Sequence, residues 1–146
     1  MQEHTLTHNI DALRYMLAGN ATVTFKSQKT GDRRTFKIRK NKPSERFPNP
    51  EGFFVSFLNG PDNESDYLYL GMISGTLEFR LTNASRAGAD SVVYKAFKYV
   101  WDKLQCTEDV PGVEIWHSGK CGRCGRTLTV PESIESGIGP ECASKL

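Results

Sequence analysis

The sequence predicts an α+β fold, in which an antiparallel sheet of about five strands is covered by helices and followed by a small cysteine-bearing C-terminal module. Three observations support this prediction. Residues 22–81 contain five short segments of strand-type composition, and residues 91–105 carry apolar side chains at helical spacing. Three of the four cysteines lie within the last 26 residues. The C-terminus is therefore expected to have a chemistry of its own.

A short helix is predicted first. Its apolar side chains recur at helical spacing, Asn9 suits the N-cap, and Gly19 is expected to end the helix. The residues predicted to share its buried face are Ile10, Leu13, Met16 and Leu17.

A β-hairpin is predicted next. Apolar and polar residues alternate on both sides of Lys29-Thr-Gly-Asp, which is a turn sequence. The alternation gives the hairpin one apolar face and one basic face. The residues of the apolar face are Val23, Phe25, Phe36 and Ile38.

Three more strands are predicted at residues 53–58, 67–73 and 76–81, after a loop at residues 41–52 that contains three prolines. Five strands are enough for an antiparallel sheet with one dry face, and that face needs a cover. Residues 91–105 are predicted to be the covering helix, with Asp90 or Ser91 as its N-cap. Its apolar stripe consists of Val93, Phe97, Val100 and Leu104, with Ala96 and Trp101 beside it.

Composition limits the class of protein. The chain has 146 residues, 38% hydrophobic and 25% charged, with a net charge of +2, which fits one domain (1–110) with an appendage (111–146). It has no apolar stretch of membrane-spanning length and no secretory signal at its N-terminus, so a cytoplasmic location is expected. In a reducing cytoplasm the four cysteines are better candidates for metal ligands than for disulfides.

The charges are segregated along the chain. Residues 26–46 hold nine cations against two acids, whereas residues 47–114 hold five cations against ten acids. The first segment therefore carries +7 and the second −5. The basic segment coincides with the predicted hairpin.

The strongest local motif is H-x3-C-x2-C-x17-C, formed by His117, Cys121, Cys124 and Cys142. A CxxC pair flanked by glycines suits a zinc knuckle of treble-clef-like type, and a third cysteine at fitting distance strengthens a Zn²⁺ prediction. Reduced buried cysteines or a redox pair are the alternatives. The fourth ligand is His117, at the end of an apparent strand, or Cys106. A site closed by four protein ligands stabilises a fold and activates no water.

No catalytic motif accompanies the zinc pattern. The sequence lacks a P-loop and a G-x-S-x-G elbow, and no H-x-E accompanies a P-C-x-x-C as it does in zinc deaminases. The protein is therefore predicted not to be an enzyme. An enzyme would require an open zinc position, in which case His117 would not be a ligand.

The C-terminal run with C-G-R-C-G-R-x-L-T, P-E-S-I and G-I-G-P-E-C resembles a zinc-binding domain of unknown function found in many bacteriophage and prophage proteins. Upstream, A-G-N-A-T-V-T-F and F-V-S-F-L-N-G-P-D-N are similar to the N-terminal part of small phage proteins that end in this domain. The resemblance implies a four-ligand zinc site at His117, Cys121, Cys124 and Cys142 and a phage or mobile-element origin. The expected cytoplasm is then that of the bacterial host. It implies no activity.

Two functions are predicted. The first is a non-enzymatic protein that docks on a host or phage protein or nucleoprotein machine, by analogy an inhibitor of host antiviral defence; segregated charge and aromatic-rich loops (Phe47, Phe53, Tyr67, Tyr69) favour it. The alternative is a nucleic-acid-binding accessory protein that uses the basic hairpin 26–46. The binding residues predicted for either partner are Lys26, Lys29, Arg33, Arg34, Lys37, Arg39, Lys120, Arg123 and Arg126. Stacking aromatics are not expected within the hairpin, because Phe25 and Phe36 fall on its apolar face.

Overall fold

The computed structural model describes residues 5–6, 9–42, 45, 52–60, 65–106, 110, 112–118, 123 and 138. Within these residues the chain forms two helices and one sheet of six strands. The elements are α1 (Asn9–Met16), β1 (Asn20–Ser27), β2 (Arg33–Lys40), β3 (Phe53–Leu58), β4 (Tyr67–Ile73), β5 (Phe79–Arg80), α2 (Val92–Cys106) and β6 (Val113–His117).

The sheet is antiparallel throughout, with the strand order β5-β4-β3-β2-β1-β6. The predicted α+β class is confirmed, and the sheet has one strand more than the five predicted. The sixth strand, β6, pairs with β1 and also receives a backbone hydrogen bond from Leu6 to the carbonyl of Ile115 at 2.7 Å. The chain that leads toward the predicted zinc ligands is thus part of the sheet.

The β1–β2 hairpin forms where the sequence predicts it. Gly31 has a φ of 79° in the turn, which a glycine adopts without the steric cost of a Cβ atom. The amide of Ser27 donates to the carbonyl of Asp32 at 2.9 Å and closes the loop. Phe25 and Phe36 are buried, as the alternation predicts.

Helix α1 buries most of the predicted face, since Met16 is fully buried and Leu13 and Leu17 pack against the core, but one predicted residue is exposed and one buried residue was not predicted. Ile10 is 72% exposed, whereas Tyr15, which the prediction left out, is fully buried. The Tyr15 hydroxyl donates to the backbone carbonyl of Thr22 at 2.7 Å and accepts from the Thr22 amide at 3.1 Å. Because these bonds satisfy the hydroxyl, the aromatic ring can be buried without an unpaired polar atom.

The strand predicted at residues 76–81 is shortened to Phe79–Arg80. Leu77 has a φ of 66°, so the chain is in the left-handed region two residues before β5 and is not extended there. Two side chains of α2 hold this turn: the Trp101 indole N–H and the Gln105 amide both donate to the Leu77 carbonyl, at 2.9 and 2.7 Å.

Helix α2 covers the dry face of the sheet, as predicted. Phe97 lies at the centre of an aromatic cluster in the core. The distances between its ring centroid and those of its neighbours are 5.9 Å for Phe25, 5.1 Å for Phe36, 4.6 Å for Phe79 and 6.1 Å for Trp101. Helix α1 packs on the same side, where the Asn9 side-chain amide donates to the carbonyl of Leu104 at 3.3 Å.

Ser91 caps α2, which decides between the two caps that the sequence allows. Its hydroxyl oxygen accepts a hydrogen bond from the Tyr94 amide at 3.2 Å and donates to the Gly88 carbonyl at 2.6 Å.

We expect Ser91→Ala to lower the free energy of unfolding by about 1 kcal/mol, because a first-turn amide loses its acceptor. Chemical denaturation measures the change. Asp90→Ala, at the exposed preceding residue, is the matched control and should change stability by less than about 0.5 kcal/mol. A larger effect of Asp90→Ala would make Asp90 the functional cap.

The division into residues 1–110 and 111–146 stays a prediction. β6 lies on the C-terminal side of that division and pairs with β1, and Ile138, which is 1% exposed, belongs to the hydrophobic core. The longest described helix, α2, has 15 residues, and no helix in the described part of the chain has the length and apolar character needed to cross a membrane.

Candidate nucleic-acid interface

Within the described residues, α1 and α2 cover one face of the sheet. Most side chains that point toward these helices are apolar and buried, with Arg34 as an exception, whereas the alternate residues of β1 to β4 point to the opposite side, which we call the open face. Antiparallel sheets commonly keep one face away from the core in this way. The candidate site lies on the open face.

Four of the predicted binding cations lie together on the open face, on β1 and β2. We call Lys26, Arg33, Lys37 and Arg39 the basic strip. Lys26 lies opposite Arg33 in the register, and Lys37 lies two residues from Arg39 along β2. Lys26, Arg33 and Arg39 form no ion pair within the part of the chain that the structure describes. Their charges are thus not offset by direct carboxylate contacts there, although Glu114 of β6 lies across from Lys26.

Hydroxyl groups lie between the cations. Thr24 and Thr35 face each other across the β1–β2 pair with their oxygens 2.8 Å apart. Together with Arg33, Lys37 and Arg39 of the basic strip they line a concavity of about 710 Å³. Thr22, Tyr67 and Ser118 also contribute to it, as do Arg34 and Val93 from the helix side. Ammonium, guanidinium and hydroxyl donors are the groups that proteins use to bind phosphate oxygens.

Aromatic residues continue the open face beyond the basic strip. Phe54 of β3 lies opposite Arg39 in the register, and Tyr69 lies opposite Ser56. The rings of Phe54 and Tyr69 meet edge to face, with centroids 5.9 Å apart. The Lys37 ammonium lies over the ring of Tyr67, 4.2 Å from its centroid, a cation–π contact. Cations and aromatic rings therefore share one surface.

A β-bulge aligns the aromatic part of the open face. The register of β3 and β4 shifts between Val55 and Ser56, so that Ser56 pairs with Tyr69 while Val55 pairs with Gly71, and Leu70 is the extra residue. Strict alternation would place Tyr69 and Met72 on opposite faces, but the bulge puts both on the open face.

The aromatic residues line a second concavity, of about 650 Å³, which we call the aromatic concavity. Its lining residues are Arg39, Phe54, Ser56, Tyr69, Met72, Thr82 and Ala84. The Thr82 hydroxyl donates to the Tyr69 hydroxyl at 3.1 Å, which fixes the tyrosine ring against the segment after β5. Arg39 lines both concavities, so the basic strip and the aromatic concavity are continuous.

The other predicted binding residues do not lie on the open face. Lys29 is exposed in the hairpin turn. Arg34 alternates to the helix side and lines a crevice beside α2, and it also reaches the concavity lined by Arg33, Lys37 and Arg39. Arg123 is exposed, and Lys120 and Arg126 lie outside the described residues. The structure therefore groups four of the nine predicted residues.

Sequence reasoning missed the aromatic part of the interface. The sequence predicts strands at residues 53–58 and 67–73 and also counts Phe53, Tyr67 and Tyr69 as loop aromatics; the structure places all three in β3 and β4. Phe47 lies outside the described residues. The expectation that the hairpin itself offers no stacking ring is confirmed, because Phe25 and Phe36 are buried. The rings come from the neighbouring strands instead. Alternation within residues 53–58 is the signal that shows Phe54 on the opposite face from the buried Val55.

His117 is the one predicted zinc ligand whose side chain the structure describes. It is the last residue of β6, is 3% exposed, and packs on the helix side with its ring centroid 5.6 Å from that of Tyr15. Cys121, Cys124 and Cys142 lie outside the described residues, as does the side chain of the alternative ligand Cys106. Among the described residues, no group of three or more His, Cys, Asp or Glu side chains is arranged to hold a metal ion.

His117 fits the role of a zinc ligand for two reasons, the chemistry of its side chain and its fixed place in a strand. An imidazole nitrogen is a usual Zn²⁺ ligand, and a strand paired into the sheet holds the ring in a fixed place. Ile138, four residues before Cys142, is buried in the core. Residues on both sides of the Cys121–Cys124 pair are therefore packed against the folded domain.

Comparison with known proteins identifies one likeness. Residues 116–146 match the model of a family of unknown function, DUF6011. The match begins within β6 and covers the segment with the cysteine motif. No curated protein and no solved structure matches the chain.

Proposed function

We propose that this protein binds nucleic acid along the basic strip on the open face of its sheet. The observation that carries the proposal is the continuity of cations and aromatic rings through Arg39, on the face of the sheet opposite the buried core. Phosphate contacts from Lys and Arg supply affinity that depends little on sequence. An antiparallel sheet with helices behind and aromatic and basic side chains in front is also how several RNA-binding modules present their ligand surface.

The salt dependence of binding tests this proposal. Fluorescence anisotropy with a labelled single strand of about 15 nucleotides should show an affinity loss of about 50-fold between about 50 mM and 200 mM salt if all four cations contact phosphates. Lys26→Gln/Arg33→Gln should reduce the slope of log affinity against log salt by about 1.4. These two residues lie away from the aromatic concavity, so the variant tests the basic strip alone.

A matched variant controls for overall charge. Lys95→Gln/Lys98→Gln removes the same two charges from α2, at the cost of one surface ion pair between Lys98 and Asp102. It should bind like the unmodified protein. Equal losses in both double variants would mean that only net charge matters, and undetectable binding at about 50 mM salt would overturn the proposal, because counterion release is strongest there.

We also propose that the C-terminal segment binds one Zn²⁺ through His117, Cys121, Cys124 and Cys142, with Cys106 as the alternative to His117. The CxxC spacing, the third cysteine and the buried position of His117 support it. When bound, the metal would stabilise the segment that follows β6. A closed site of this kind contributes folding free energy rather than catalysis.

Docking on a host or phage protein machine, and with it inhibition of host defence, stays a prediction, as do the absence of enzymatic activity and the location in a bacterial host cytoplasm. A pull-down from nuclease-treated host lysate separates docking from nucleic-acid binding. A stoichiometric protein partner that survives nuclease would favour docking on protein.

A further inference from the structure

We infer that the aromatic concavity binds an unpaired nucleobase, so that the protein selects single-stranded over double-stranded nucleic acid. This inference rests on the proposed function, because it places a base beside a backbone held by the basic strip. The two parts are linked by Arg39, which lines the phosphate-binding concavity and the aromatic concavity together. A strand held at Lys37 and Arg39 would thus have its next base beside Phe54.

Phe54 offers the stacking surface. Its side chain is 49% exposed although it is a phenylalanine in a strand, and the edge-to-face contact with Tyr69 occupies only part of its ring. An exposed aromatic ring is costly in water, and a flat base that stacks on it removes that apolar surface from solvent. Every base has such a flat face, so the contact is tolerant of sequence.

Tyr69 and Met72 shape the concavity around that ring. The β-bulge brings both to the open face, and the hydrogen bond from Thr82 holds the Tyr69 hydroxyl in place. The surface that lines the concavity is therefore mostly apolar, as a stacking surface requires, and Arg39 is the charged residue that lines it.

A base in a duplex does not fit this arrangement. Its two faces are covered by neighbouring base pairs and only its edges are accessible in the grooves. Stacking on Phe54 requires a base that is free of its partner and can leave the stack. The aromatic concavity therefore favours a single strand over a duplex that offers the same phosphates.

Abasic oligonucleotides isolate the contribution of the base. We would compare, by anisotropy at about 50 mM salt, a thymidine or uridine strand of about 15 nucleotides with a strand of the same length that has sugars and phosphates but no bases. The unmodified protein should bind the strand with bases more tightly by about 5-fold to 150-fold for each stacked base. A duplex of the same length should bind about as weakly as the abasic strand.

Three variants locate the effect. Phe54→Leu keeps an apolar side chain but removes the ring, and should bring the affinity for the base-containing strand down to that for the abasic strand. Phe54→Trp should retain the preference, since the indole also stacks. Tyr99→Leu makes the same type of change at a 42% exposed aromatic on α2 and should leave every affinity unchanged.

The outcomes separate this inference from the proposed function. Equal, salt-sensitive binding of both strands by the unmodified protein would overturn the base site and leave phosphate binding intact. A preference for bases that survives Phe54→Leu would also overturn it, because another surface would then hold the base. Absence of binding to either strand would overturn the proposed function and the base site with it.

Discussion

Replacing Phe97 with alanine is expected to lower the free energy of unfolding by about 3 to 5 kcal/mol. Phe97 is fully buried, and its ring contacts aromatic rings from three strands, β1, β2 and β5, and from its own helix. The substitution removes the transfer free energy of the ring and leaves a cavity that rigid aromatic neighbours fill poorly. Since small domains are stable by only about 5 to 15 kcal/mol, this one change would remove a large part of the total.

Urea or guanidinium denaturation followed by tryptophan fluorescence measures the effect, because Trp101 lies 6.1 Å from Phe97 between ring centroids. Tyr99→Ala is the control: it lies two residues away on the exposed side of α2 and should cost less than about 1 kcal/mol. If Phe97→Ala also cost less than about 1 kcal/mol, α2 would not be the main cover of the sheet.

The covered side of the sheet could be predicted because its signals are local. Helical spacing in residues 91–105 and alternation in the hairpin each follow from side chains a few positions apart. For α1 the local pattern is only partly right, because Met16 is buried but Ile10 is exposed. Ile10 is more apolar than Tyr15, but the tyrosine hydroxyl finds both backbone groups of Thr22, seven residues away. That contact exists only after β1 forms, so the apolar pattern of α1 includes the exposed Ile10 and misses the buried Tyr15.

The residues of the open face could be predicted only in part from the sequence. Alternation is enough to place Lys26, Lys37 and Arg39 on one face of the hairpin. Whether aromatic rings join them depends on which strand pairs with β2 and in which register, and the structure sets Phe54 opposite Arg39. The bulge at Leu70 then decides the side on which Met72 points. The register of β2 and β3 and the bulge in β4 are properties of strand pairing, which no single segment of the sequence determines.

Removal of zinc is expected to lower the free energy of unfolding by about as much as Phe97→Ala does. Metal analysis of the purified full chain should give about one Zn²⁺ per chain. Cys121→Ser should reduce the zinc content to near zero, because a neutral hydroxyl replaces a thiolate ligand. Zinc at 100 times its dissociation constant adds about 2.7 kcal/mol to stability, and tight structural sites add more. Chelation of the unmodified protein should therefore lower its midpoint of unfolding.

The fourth ligand is decided by comparing His117→Asn with Cys106→Ser. His117 is buried against Tyr15, so its substitution can cost stability without any metal. The discriminating quantity is therefore the difference in stability with and without zinc, measured for each variant. If His117 is a ligand, this difference shrinks in His117→Asn and is unchanged in Cys106→Ser; the reverse result would make Cys106 the ligand. If neither substitution reduces this difference, the zinc is held by the other three cysteines and its fourth coordination position is open. Only that arrangement would allow the zinc to bind and activate a water.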